Sequence, residues 1–324
     1  MQLTDYKPNY VFGGHQTFSV RQLWLYKAYY LFKDRSTENN LLSPEESMLY
    51  LGVGSNMVDS VRFWAKSCHV IDHKDKVTDL AKDVFGDFHN GYDSYLESTV
   101  SSWLFHWKLA YTACRFTPLW FLFNVFNKNE FTKDEAESAL VSFLERGLST
   151  GEIKKLPSEN TIKRDIDVVI RCYCPKTYVI GNVSKTLKDG DSEDYSDSLF
   201  RELQLITARN IRTYSFNKRK HATLNPYLFA YCYLDFWYPL SLGQITADFN
   251  KIAYAPGSPG RVLKLDEVSL ESFLMDLGDV TGGMLRWVEQ TGIRHVVSKL
   301  KDKGEIQTLQ DDLLKKAYSY GTQG

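Results

Sequence analysis

The sequence is short of net charge. Its 39 Lys and Arg stand against 40 Asp and Glu, leaving −1 at pH 7. This excludes a protein wrapped in one basic field, so any contact with a polyanion has to come from local clusters. Cysteine is scarce as well. Five cysteines, an odd number at irregular spacings, exclude a disulfide framework and point to a reducing cytoplasm. Long uncharged apolar runs are missing. The most ring-rich stretch, SSWLFHWKLAYTACRFTPLWFLFNVF, is broken by His106, Lys108, Arg115 and Pro118, which excludes a membrane span and favours a buried helix pair. The start, MQLTDYKPNYVFGG, has neither the basic nor the apolar region of a signal peptide.

Catalytic signatures are also absent. There is no phosphate-cradling Walker loop, no GxSxG elbow and no dinucleotide fingerprint, because the glycines of LGVGSN follow a helix rather than a strand. Cys172 and Cys174 have no second pair to make a zinc site. His69, Asp72 and His73 alternate along an expected hairpin and do not converge. GEIKK offers Glu152 and Lys154 to a metal nuclease, with Asp134 or Asp165 as partners, a pattern that also arises by chance.

What is present is aromatic residues, 14% of the chain, and a recurring plan of helix, turn, helix and hairpin over a length that suits two or three domains. In the first unit, Ser43 caps a helix with Pro44 at its first position and Glu45 and Glu46 in its first turn. LGVGSN breaks it, and Ser55 or Asn56 caps the next helix, which carries Arg62 and Lys66. Leu51, Val53, Val58 and Val61 fall where the two helices pack, and CHVIDHKDKVTDL reads as the strand-turn-strand of a wing. In the second unit, Thr132 and Glu135 make a capping box, and Ser158 caps a helix whose Ile162, Ile166, Val169 and Ile170 face inward. On its outer side Lys163 and Arg164 are placed to meet phosphates, and Asn160 and Thr161 to reach a base edge. A merely solvated helix is the competing reading.

Charge then separates into blocks. Asp189 to Asp197 is acidic, whereas Arg201 to His221 holds six Lys or Arg against one Glu, with Tyr214 and Phe216 interleaved. Lys218, Arg219 and Lys220 suit a groove that follows a phosphate backbone, or else a solvated sheet edge. The last third reads as a ring-rich helix ended by Pro239, a shorter helix after Ser241, a rigid APGSPGR turn presenting Arg261, an amphipathic helix, and a hairpin turning at Thr291-Gly292. The fold class expected is mainly α with small β-hairpins (α+β), as tandem winged-helix-like domains. Their bounds fall at 1–125, 126–190 and 191–324.

The stretch FGGHQTFSVR opens the first helix. Gly13 and Gly14 are able to take positive φ, so that successive N–H groups form an anion nest, with Gln16, Thr17 and Arg21 close by. His15 is a phosphate contact, a general acid or base, or simply the bonded residue of a tight turn.

FGGHQTFSVRQLWLYKAYY, LGVGSNMVDSVRFWAK, LAKDVFGDFHNGYDSYLE, SENTIKRDID and YAPGSPGRVLKLDE followed by TGGMLRW together resemble the domain-of-unknown-function family that includes SspB, of bacterial single-strand DNA phosphorothioation gene clusters. The resemblance spans roughly residues 10 to 300. It implies a DNA-nicking subunit, in an antiphage modification system, that acts on double-stranded DNA. Its implied partners are a cysteine desulfurase, an ATPase and a sulfur transferase. His15 and Gln16 are then the catalytic candidates and Mg2+ the candidate cofactor, with its ligands unassigned. Gln16 stands where the family is expected to carry Glu, and an amide brings no negative charge to a metal. The alternative is a non-catalytic DNA-binding adaptor that recruits the modification enzymes.

Overall fold

The computed structural model describes residues 10–33, 43–87, 90–174, 178–180, 183–185, 198–238, 245–290 and 292–320. The acidic block at 189–197, and Pro239 and Ser241, lie outside the described residues.

The first unit packs helix α1 (Gln22–Lys33) on α2 (Pro44–Leu51) and α3 (Ser55–Ser67). Ser43 and Glu46 cap each other's backbone at the start of α2, and Gly52, at φ 66°, ends it by donating to the Met48 carbonyl. Leu51 and Val61 are buried between the helices and Val53 and Val58 partly so, as the sequence pattern requires. Two expectations change here. Gly54, not Ser55 or Asn56, occupies the N-cap of α3. The wing shrinks to a single bridge between Ile71 and Val77. Asp72 accepts from the amides of Lys74 and Lys76 and so closes a tight turn. Thr78 then caps helix α4 (Asp79–Phe85) where a second strand was expected.

Helices α5 (Thr99–Ala110) and α6 (Thr117–Asn124) form the expected buried pair. His106 fastens them to the rest of the molecule. Its Nδ1 lies 2.6 Å from the Tyr173 hydroxyl and its Nε2 2.9 Å from the Val262 carbonyl.

The second unit runs through strand β1 (Glu130–Thr132), α7 (Lys133–Ser149) and α8 (Glu159–Tyr173). The Thr132–Glu135 capping box and the Ser158 cap both form. A separate two-stranded hairpin, β2 (Tyr178–Ile180) and β3 (Val183–Lys185), follows α8. The strands that complete the unit's sheet, β4 (Ile206–Ala208) and β5 (Thr213–Phe216), come from the basic segment, across the expected boundary at 190/191. Their order in the sheet is β1-β5-β4.

The third unit repeats that order. Helix α9 (Pro226–Trp237) precedes β6 (Thr246–Asp248), α10 (Phe249–Tyr254), α11 (Pro259–Val262) and α12 (Glu267–Val280). The hairpin β7 (Leu285–Gln290) and β8 (Ile293–Ser298) then gives a sheet ordered β6-β8-β7. A shorter helix was expected after Ser241, in the stretch that contains Ile245–Phe249. Thr246–Asp248 instead forms β6, and Asp248, accepting from the Asn250 amide, is the N-cap from which α10 starts at Phe249. The last helix, α13 (Lys303–Ser319), packs Leu313, Leu314 and Ala317 inward beside α9. The fold is thus α+β, as expected. Among the described residues, no helix is long and apolar enough to cross a membrane.

Candidate functional site

The GGHQT stretch forms a loop of left-handed backbone. Gly13, Gly14, Gln16 and Thr17 take φ of 66°, 83°, 46° and 67°. The last two are conformations that side-chain-bearing residues, a β-branched one above all, adopt only when their surroundings enforce them. The enforcement is visible. A Cβ on Gly14 would lie 2.6 Å from Cδ2 of Phe63, and His15 sits among Phe63, Trp64 and Phe116.

The loop meets an anion that the chain itself supplies, through one of its amides. Asp165, from the middle of α8, accepts from the Gly13 amide at 2.9 Å and meets His15 Nε2 at 2.8 Å. His15 Nδ1 accepts from the Thr17 amide at 3.0 Å, which places the ring proton on Nε2, toward Asp165. Both side chains are almost wholly buried, at 3% and 1% exposure. Arg171 donates to the Thr17 carbonyl at 2.5 Å, and Ser60 donates to that of His15 at 3.0 Å. In this geometry neither ring nitrogen of His15 is left for a phosphate or a water. The loop instead locks α8 to the first unit. Gln16 and Thr17 remain exposed on its outside. Arg21, half-buried, lies over the rings of Trp24 and Phe18, and pairs in a bridge with Ser198.

On α3, Ser55 and Asn56 are exposed in the first turn. Arg62 and Lys66 converge on Asp75, with Arg62 Nε 3.1 Å and Lys66 Nζ 2.9 Å from its carboxylate. Burial pushes the Asp75 carboxyl up, but hydrogen bonds from the two cations hold it below its ordinary value. On α8, Asn160, Lys163 and Arg164 are exposed, whereas Thr161 is half-buried and bonded to Ser158 Oγ at 2.9 Å. Ile162, Ile166, Val169 and Ile170 point inward as expected. Asp165, which belongs to the same buried side, gave no sign in the sequence that it was paired.

Lys218, Arg219 and Lys220 are exposed just beyond β5. Lys220 donates to Ser272 Oγ at 2.9 Å, and the Arg219 amide to the Lys264 carbonyl at 3.2 Å. Lys218 and Arg261, far apart in sequence, line one cavity of about 370 Å3, together with Asn127, Tyr254, Lys264 and Asp266 among others. The sequence reading did not single out Lys264, which lies buried in that wall at 2% exposure.

Among the described residues, no group of three or more His, Cys, Asp or Glu is arranged to hold a metal ion. Mg2+ takes near-octahedral oxygen ligands, and the buried His15–Asp165 pair has turned its own polar atoms on each other. Among the described residues, the His15–Asp165 pair does not fit a magnesium site.

The molecule therefore belongs to the class of α+β proteins built from small helical units that close on three-stranded antiparallel sheets. The chain belongs to the DUF4007 family of proteins of unknown function, which it matches over residues 12–318. Its fold is similar to an SspB crystal structure, with a TM-score of 0.74 at 24% identity, covering 95% of this chain and 88% of that one. It is also similar to a magnesium ion-bound SspB crystal structure, with a TM-score of 0.75 at 25% identity and the same coverage. No curated protein matches the sequence.

Proposed function

We propose that this chain is a DNA-binding, strand-nicking subunit of a bacterial phosphorothioate modification system, working beside a cysteine desulfurase, an ATPase and a sulfur transferase. The observation that carries this reading is the likeness to SspB over 95% of the chain. The outer surface supports it. The two sheets ordered first-third-second read as winged-helix units, and α8 turns Asn160, Lys163 and Arg164 outward from a helix otherwise buried on its apolar side. Lys163 and Arg164 then meet phosphates, Asn160 a base edge, and Lys218, Arg219, Lys220 and Arg261 extend the backbone contacts. Ser55 and Asn56 take the equivalent place on α3. Arg62 and Lys66 share Asp75 and bring one net charge between them.

His15 acts here as a positioning residue. Through Asp165 it sets the angle of α8 against the first unit and holds the exposed Gln16 and Thr17 in place. No step is routed through a metal, since the described residues do not assemble a group of three ligands; Mg2+ enters as an assay component. The purified protein, incubated with supercoiled plasmid and Mg2+, is expected to produce open circles, and a parallel reaction in EDTA shows whether the divalent ion is needed. Binding that weakens steeply with salt is expected for contacts to several phosphates.

The closed His15–Asp165 pair favours a second reading, the non-catalytic adaptor. It predicts mobility shifts of duplex DNA with no open circles under any divalent ion, and that outcome would remove the nickase.

A further inference from the structure

Lys264 is a buried cation without a carboxylate. It is 2% exposed, and its Nζ donates to the Phe123 carbonyl at 2.7 Å while lying 4.1 Å from the ring centre of Phe216 and 4.9 Å from that of Phe123. No ion pair joins it to an acid among the described residues. Burial first, then the charges of Lys218 and Arg261, push its pKa well below the ordinary lysine value. Lys218 is lowered likewise, by partial burial and by Arg261. Three basic groups thus border one cavity together with two carboxylates, Asp266 and Glu267, a balance of one positive charge when all are ionised.

The acids of the same wall are already engaged. Asp266 caps α12 through the Ser269 amide at 2.8 Å. Glu267 takes the Tyr254 hydroxyl and faces Arg294 at 3.8 Å. Arg261 uses only its Nε internally, donating to the Tyr254 carbonyl at 3.2 Å, and its terminal nitrogens remain for a forked contact.

The wall is rigid. A Cβ on Gly260 would come within 2.4 Å of the Ala253 carbonyl, so α10 and α11 touch backbone to backbone. Lys264 itself holds φ 50°. Its carbonyl accepts from the Arg219 amide and faces His221 Nε2 at 3.4 Å, tying the basic segment to the cavity rim.

We infer that this cavity binds a phosphate monoester, gripped by Lys218, Arg261 and Lys264. A concave pocket of about 370 Å3 bordered by three basic groups suits a terminal phosphate rather than a backbone running past. The phosphate belongs to a DNA strand end or to a free nucleotide. Only the first source rests on the DNA reading above.

Titration calorimetry tests this with inorganic phosphate, dimethyl phosphate, 5′-AMP, and a 12-nucleotide single strand carrying a 5′-phosphate, a 3′-phosphate or only hydroxyl ends. Inorganic phosphate is expected to bind, and Arg261→Ala and Lys218→Ala each to weaken it at least tenfold. Lys264→Met is expected to abolish binding while its thermal unfolding stays cooperative; should that variant not fold, the two outer variants carry the test. A strand-end source appears as at least tenfold tighter binding of one phosphorylated strand over the hydroxyl strand. A nucleotide source appears as tight 5′-AMP binding without that preference. The inference is overturned if phosphate does not bind, if the variants bind it as the parent does, or if dimethyl phosphate binds equally well. Duplex mobility shifts and plasmid nicking, measured on the same protein, report separately on the DNA reading.

Discussion

Two buried polar groups in this molecule have opposite fates. His15 is enclosed by aromatic rings with both nitrogens bonded and a carboxylate against one of them. Lys264 is enclosed by aromatic rings with the backbone carbonyls of Phe123 and Leu122 as its partners and two further basic groups nearby. The first is complete and needs nothing from outside. The second stands beside a cavity that Lys218 and Arg261 also border. A conspicuous motif therefore marks architecture here, and an inconspicuous lysine marks the place for a ligand.

The sharpest way to break this comparison is at His15. His15→Ala leaves Asp165 buried without its ring partner and should cost on the order of 3–5 kcal/mol, as other broken buried pairs do. Urea unfolding of parent and variant measures it. A cost under about 1 kcal/mol, or a loss of phosphate binding at the Lys218–Arg261 cavity without a loss of stability, would contradict a purely positioning role.

The pH profile comes next. Burial pushes His106 down to about 3, helped by Lys264 and His221 and opposed by the Val262 bond. Burial and Arg115 push His69 down to about 4. The unfolded chain takes up protons below pH 6.5 that the folded one refuses, so stability falls as pH drops from 6.5 and the loss levels off near 4 and 3. Denaturant midpoints between pH 7 and 4 should show that decline, and His106→Gln should make it shallower. A flat profile in the parent would refute the assignment.

The helical caps were legible in the sequence because a cap is local. Ser43, Thr132 and Ser158 each bond within three residues of themselves. The inward stripe of α8 was legible because helical period alone determines it. The partners of His15 and Lys264 were not, since they lie 150 and 141 residues away, and no local pattern encodes such a pairing. Lys264 was further disguised by Asp266 and Glu267, which make KLDE look like an ordinary charged surface. The wing of the first unit failed for a local reason that was overlooked: Thr78-Asp79 is itself a helix start.

The two glycines of the motif sharpen the picture at smaller amplitude. Both hold positive φ, but a Cβ on Gly14 meets Phe63 at 2.6 Å, whereas one on Gly13 meets nothing within 4 Å. Gly14→Ala should cost about 2–3 kcal/mol, from backbone strain plus displacement of the ring, and Gly13→Ala only about 1 kcal/mol from strain. Thermal unfolding of the pair measures the gap. Equal costs would mean that Phe63 yields freely and does not brace the loop.

The smallest effect is expected at Lys264, and its sign is the point. Lys264→Met keeps an unbranched chain against Phe123 and Phe216 and removes a charge that Lys218 and Arg261 oppose. It gives up the bond to the Phe123 carbonyl at 2.7 Å and the longer one to the Leu122 carbonyl at 3.5 Å, the first worth about 1 kcal/mol. Relief from burying a charge offsets that loss, so stability in phosphate-free buffer should rise by about 1 kcal/mol or less. Added phosphate should then raise the melting temperature of the parent and not of the variant, since only a protein that binds the ligand is stabilised by it. If Lys264→Met lost several kcal/mol, as His15→Ala should, then Lys264 would be a completed structural bond too, and the contrast between the two sites would collapse.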